Sequence, residues 1–272
     1  TFKRKIPETC GRCHSNGELM RPYGIPAVQV AQYQQGIHGQ ILLGKLPGKD
    51  PTLVPTCVDC HGGHGATPPD LKTVHAVCGT CHASEHQYFR KGPHYESAKR
   101  TGAPKCTNCH GNHRNTIPAG GLLAAVKKNC GACHKEGEEG YRVALELKQV
   151  LERGERVLAD FQKATAAQTV NGAGSLFLKG EYARLQNRLS VLKQVTHSAD
   201  PQEAQGKLAE MEGAARSALL YHQKVLSQKQ AGIGPILLAL GGLATGIGLI
   251  SLAGALLILR WKGRREQGAG HR

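Results

Sequence analysis

Large side chains are scarce in this sequence. Aromatic residues make up 4% of its 272 positions, with one Trp and two Met. Residues 1–135 are the poorest stretch, with few large apolar groups of any kind. A polypeptide of that composition can hardly build a core by itself. Cysteine is absent outside Cys-x-x-Cys-His units, and no unit has Lys in place of the histidine.

What is present is that unit, five times over. The copies are Cys10/Cys13/His14, Cys57/Cys60/His61, Cys78/Cys81/His82, Cys106/Cys109/His110 and Cys130/Cys133/His134, which use all ten cysteines. Cys-x-x-Cys-His is the attachment site of c-type haem. The two thiols add to the haem vinyl groups, the two-residue spacer matches the distance between those vinyls, and the histidine is directed at the iron. Structural zinc is the rival, because the gaps Cys60 to Cys78 and Cys109 to Cys130 leave 17 and 20 residues, within or near the ribbon spacing. A zinc site needs no histidine after each pair, and an odd number of pairs leaves one unmatched. Histidine occupies 14 of 272 positions, so five chance placements have odds of about 10⁻⁶ to 10⁻⁷. A disulfide scaffold fails on the same count.

Five covalently bound haems are therefore expected, and their porphyrins would supply the apolar mass that residues 1–135 lack. Gly and Pro dominate between the motifs, which suits loops wrapped round planar cofactors better than sheets or long helices. The net charge of +15 suggests nucleic acid at first sight. Haem propionates, ionised at neutral pH, account for it better, and no nucleic-acid partner is expected.

The character of the chain changes near residue 138, where helix formers take over. Ala144, Leu147, Leu151, Gly154, Leu158 and Phe161 step by three and four, as do Leu178, Tyr182, Leu185, Leu189 and Leu192. A third seam runs through Leu208, Met211, Ala215, Ala218, His222 and Val225, and Asp200 and Pro201 can start its helix. Residues 233–259 hold no charge for 27 positions, enough for a membrane span, and Arg260, Trp261, Lys262, Arg264 and Arg265 follow. The expected domains are a pentahaem region at 1–135, a three-helix stalk at 136–230, a transmembrane helix at 233–260 and a basic cytoplasmic tail at 261–272. The expected fold class is mostly α and irregular: a haem-cored domain, an antiparallel helical stalk and one C-terminal transmembrane helix. The expected location is a cell membrane crossed once, after removal of a secretion signal, with the haem region on the periplasmic side.

Five irons with one histidine each leave five positions open. His110 is held against one face of the haem bonded to Cys106 and Cys109. A residue three positions on, His113, cannot reach the opposite face of that ring, but it can reach a neighbouring haem. His64 in the near-copy at 57–64 is expected to bridge in the same way.

The elements "GIHG" around His38, "CHGGH" with His64, "KGPHY" around His94 and "CHGNH" with His113 resemble those of membrane-anchored multihaem c-type cytochromes. The order His38, His64, then His94, His113 makes residues 30–113 look like an internal duplication. The resemblance implies that His38, His64, His94 and His113 are distal haem-iron ligands. For the fifth, His197 is expected, with His75 as the alternative. If "NGAG" at 171–174 is a hairpin tip, position 197 lies level with about residue 148, near the haem at Cys133. Only Met20 and Met211 could give His/Met ligation, so bis-His sites are expected throughout.

The expected function is electron transfer along a row of haems, with membrane protein subunits or soluble redox carriers as partners and no catalytic residue. The alternatives are a quinol dehydrogenase, or a haem enzyme with one open iron. The denatured protein should run about 3 kDa above its 29.1 kDa polypeptide mass, at roughly 0.6 kDa for each thioether-bound haem. A gain of fewer than four haems, or zinc on metal analysis, would overturn the reading.

Overall fold

The computed structural model of the chain describes residues 2–63, 74–102, 104–115, 121–166 and 173–227. Among these residues helices are the only regular structure. They are α1 Phe2–His14, α2 Gly17–Met20, α3 Gln29–Gln35, α4 Ile37–Leu42, α5 Cys57–His61, α6 Val74–Gly79, α7 Ala83–Lys91 and α8 Pro93–Thr101. After them come α9 Cys106–His110, α10 Val126–Asn129, α11 Glu139–Thr165 and α12 Ala173–Val195, with α13 over residues 201–227.

The segments between the cysteine motifs are thus more regular than their Gly and Pro content suggests. The reason is placement. Gly36 separates α3 from α4 and Gly92 separates α7 from α8, while Gly44 and Gly102 lie just past helix ends with φ of 74° and 83°. Glycine here punctuates helices instead of interrupting them. Pro93 sits at the first position of α8, where its missing N–H costs nothing.

Residues 1–135 contribute little to the apolar core. Among the described residues of this stretch the buried hydrophobic side chains are Met20, Leu42, Val54, Ala98 and Val126, and neither hydrophobic cluster includes a buried one before Val126. Polar ties hold the first segments together instead. Lys3 Nζ donates to the carbonyls of Thr52 and Val54 at 3.0 and 2.8 Å, and Tyr33 Oη donates to that of Pro55 at 2.8 Å.

The main core lies among α11, α12 and α13. Leu147, Val150 and Phe161 from the first helix meet Leu178, Leu185, Leu189, Leu192 and Val195 from the second. Ala204, Leu208, Met211, Ala215 and Ala218 complete it from the third. Val150, Val195 and Ala204 lie outside the seams read from the sequence, whereas Leu151, Leu158, Tyr182 and Val225 are only partly buried. A straight helix turns in 3.6 residues, so its apolar stripe drifts away from a strict three-four repeat. Gly154 lets two helices close up, since a Cβ there would stand 2.7 Å from a Leu192 methyl carbon. Asp200 caps α13, its Oδ1 accepting from the N–H groups of Gln202 and Glu203 at 2.8 and 3.2 Å. Tyr88 and Leu123 pack on this bundle from the region of the cysteine motifs, and Lys91 pairs with Glu203 at 3.2 Å.

The expected fold class needs correction in its membrane part. Among the described residues no helix is long and apolar enough to cross a membrane. Two of the three long helices, α11 and α12, show why, because charged side chains recur along both sequences. The stretch at 233–259 lies outside the described residues.

Replacing Leu192, which is fully buried, by Ala should cost about 2–5 kcal/mol and lower the thermal midpoint followed by circular dichroism. Leu145, 39% exposed on α11, should tolerate the same change within about 0.5 kcal/mol. Equal shifts for the two variants would contradict the packing described.

Candidate functional site

Two of the five motifs are single helical turns with a cap of their own. In α5, Asp59 Oδ2 accepts from the backbone N–H and the hydroxyl of Thr56 at 2.7 and 2.8 Å. In α9, Asn108 Oδ1 accepts from the Lys105 N–H at 2.8 Å. The second spacer residue between the cysteines therefore closes the turn that presents both thiols and the histidine. Each turn ends at a glycine, Gly62 with φ 71° and Gly111 with φ 76°, a region that favours glycine. At Gly111 that reversal separates the two histidines of the Cys-His-Gly-x-His pattern, His110 meeting His197 and His113 meeting His61.

The other three motifs are presented differently. Cys10, Cys13 and His14 form the last turn of α1, His82 precedes α7 directly, and Cys130–Ala132 form a short 3₁₀ turn after α10. Room for the His134 ring depends on Gly140, where a Cβ would stand 2.4 Å from the ring.

The two thiols of a unit, equivalent as the sequence presents them, differ in their surroundings. In every motif the first thiol is half-buried and the second, at Cys13, Cys60, Cys81, Cys109 and Cys133, belongs to an exposed residue. Four of the first thiols approach one another within hydrogen-bond reach, Cys57 with Cys10 and Cys78 with Cys106. Cys13 instead lies open at the end of α1. All ten thiols are free, with no disulfide joining Cys13 to Cys10 or closing any other unit.

The histidines meet in twos. His38 faces His82 with ring centroids 6.2 Å apart, and His61 faces His113 at 5.9 Å. His94 faces His134 and His110 faces His197, both at 6.1 Å. Each pair joins one motif histidine to one from outside the motifs. An iron about 2 Å from a nitrogen of each ring, with that nitrogen about 1.1 Å from its ring centre, would set the centroids about 6.2 Å apart. The four separations match the span of a bis-imidazole iron, so the residues present are compatible with the cofactor that the motifs imply. Among the described residues no three His, Cys, Asp or Glu side chains converge as a bare metal site.

Burial and the facing ring together lower the pKa of His38, His94 and His113, with burial the larger cause. These imidazoles stay neutral further into the acid range than an ordinary histidine. A neutral ring keeps the lone pair that coordination needs.

Two junction glycines bring segments of different pairs against each other. A Cβ at Gly36 would lie 2.8 Å from the carbonyl oxygen of His113, and one at Gly92 would lie 2.5 Å from that of Ser198. The Ile37 N–H donates to the Asn115 carbonyl at 2.9 Å, fastening the His38 segment to the His113 loop. His38 and His94 each sit two residues past such a glycine. The backbones of the two repeats match here, with φ/ψ of −73°/163° at Gly36 and −88°/163° at Gly92.

His197 stands beside a different motif from the one expected. Its ring faces His110, not the motif at Cys133. The chain leaves α12 through a 3₁₀ turn at Thr196–Ser198 and reverses at Ala199 in the left-handed region, φ 54°. α7 packs on that turn, which brings His197 to α9. The ring is steadied by a 3.0 Å contact between Nδ1 and the Gln194 carbonyl. His64 lies outside the described residues, as does the side chain of His75, and among the described residues no ring is paired with His14.

The motifs also lie in order. Cys57 is beside Cys10, Cys60 beside Cys78 and Cys81, Cys78 beside Cys106, and Cys109 beside Cys130 and Cys133. The parent helices agree, α1 packing on α5 and α6 on α9. Compared with known proteins, the chain matches no family model, no curated protein and no solved structure.

His113→Ala in the haem-loaded protein should turn one iron high-spin, namely that facing His61, while the haem on Cys106 and Cys109 keeps its spin state. Electron paramagnetic resonance with a structure of the variant decides it. Loss of coordination at the Cys106/Cys109 haem instead would refute the cross-pairing.

Proposed function

We propose that this chain is a pentahaem c-type cytochrome of the multihaem kind its motifs resemble, an electron-transfer protein acting outside the cytoplasm between protein partners. The observation that carries the proposal is the set of four facing histidine pairs, each about 6 Å between centroids and each containing one Cys-x-x-Cys-His histidine. When bound, haem iron supplies one-electron chemistry whose potential the protein sets through axial ligands, burial and charge.

The chain's residues have distinct parts in this reading. The ten cysteines, from Cys10 and Cys13 to Cys130 and Cys133, hold the cofactors, and His14, His61, His82, His110 and His134 are the proximal ligands. His38, His113, His94 and His197 close the sites at His82, His61, His134 and His110. His64, the remaining expected distal ligand, is left for His14. Two imidazoles on one iron leave no position for a substrate, which favours electron transfer over catalysis at iron. The neighbouring order of the cysteine motifs supports a row that follows the chain from its first motif to its fifth.

The ferric protein should be entirely low-spin and should bind neither cyanide nor nitric oxide before denaturation. Optical and paramagnetic resonance spectra test this directly. A high-spin ferric component in intact protein, or ligand binding at one of five haems, would replace the proposal with an enzyme carrying an open site.

A further inference from the structure

Lys105 stands out among the lysines. It is 2% exposed, and its Nζ is buried with no hydrogen-bond partner among the described residues. The residue itself is firmly held, because its N–H is fixed by Asn108. By contrast, the partly buried Lys3 Nζ donates to two carbonyls. A buried ammonium with no acceptor is strongly unfavourable, and such charges are paired in folded proteins. An anion must therefore reach this point when the protein is complete.

We infer that Lys105 Nζ pairs with a haem propionate, and that the propionate belongs to a haem other than the one on Cys106 and Cys109. The inference rests on the pentahaem reading above. The second half follows from covalent chemistry. Lys105 precedes Cys106, so its backbone lies at the edge of the macrocycle where the thioethers form. The propionates of that haem project from the side away from its vinyl-derived carbons, out of reach of this residue. A neighbouring haem can present a propionate here. Lys105 is then a positioning and potential-setting residue: its charge offsets the carboxylate and favours the reduced, less positive iron.

The test compares haem-loaded wild type, Lys105→Met and Lys105→Arg, each first weighed to count haems. In an optical redox titration, Lys105→Met should lower the reduced-to-oxidised ratio of one haem about tenfold at fixed potential, equivalent to about 59 mV for one electron. Lys105→Arg, which keeps the charge, should stay near wild type. Five haems with unchanged potentials in Lys105→Met would overturn this inference and leave the pentahaem reading standing, whereas wild type lacking haem would overturn the reading itself. If Lys105→Met fails to fold, a structure of the loaded wild type decides. Nζ within about 3.2 Å of a neighbouring haem's propionate oxygen is the expected result. Nζ bonded only to backbone carbonyls or protein carboxylates, or to the propionate of the Cys106/Cys109 haem, refutes it.

Discussion

Imidazole rings held about 6 Å apart impose the constraint that organises the first half of this chain. A contact at that separation brings no packing energy of its own, so nothing in the polypeptide alone rewards it. The surrounding structure is nevertheless arranged to produce it four times. The helices between motifs are short, the buried apolar side chains are few, and polar ties stand where a core would normally be. Such a framework suits a domain whose apolar interior is delivered as cofactor. The helical bundle that follows is built the other way, with seams of Leu, Val and Ala that need no added group.

The two glycines at helix junctions show how far backbone is subordinated to the pairing. Gly36 and Gly92 have ordinary φ values, and what they supply is absence of a side chain. Each lies against a carbonyl next to or within a residue bearing a paired histidine, at a distance no Cβ could share. The repeat seen in sequence as Gly-x-His is therefore a rule about close approach. In the second copy, the bundle's turn at Ser198 takes the position that the His113 loop occupies in the first.

Much of this was legible from residue types. The five cysteine motifs, the candidates His38, His94, His113 and His197, and the three helical seams can all be read along the chain. The pairing cannot, because the partners are far apart in sequence and are joined by turns whose direction is set in three dimensions. His197 illustrates the difficulty. A count from "NGAG" set it near Cys133, whereas the turn after α12, packed on α7, sets it beside His110. The difference between a half-buried Cys10 and an exposed Cys13 was equally out of sight, since it depends on which neighbouring motif arrives and from where. The helices between motifs were hidden by glycine content, which counts residues without saying whether they end a helix or interrupt it. Lys105 was hidden for a simpler reason: a lysine beside a cysteine motif carries no sign that its ammonium is buried.

The four pairs also have a topology. His38 to His82 encloses one stretch of chain, His61 to His113 a second, His94 to His134 a third and His110 to His197 a fourth, and each stretch overlaps the next. Every peptide bond between His38 and His197 falls inside at least one of these loops. If iron bridged each pair and sulfur anchored each haem, these closures would overlap without a gap along that span. A backbone cut anywhere in that span would leave two pieces still tied together, so the integrity of the fold would depend less on the continuity of the peptide than on the closure of its rings.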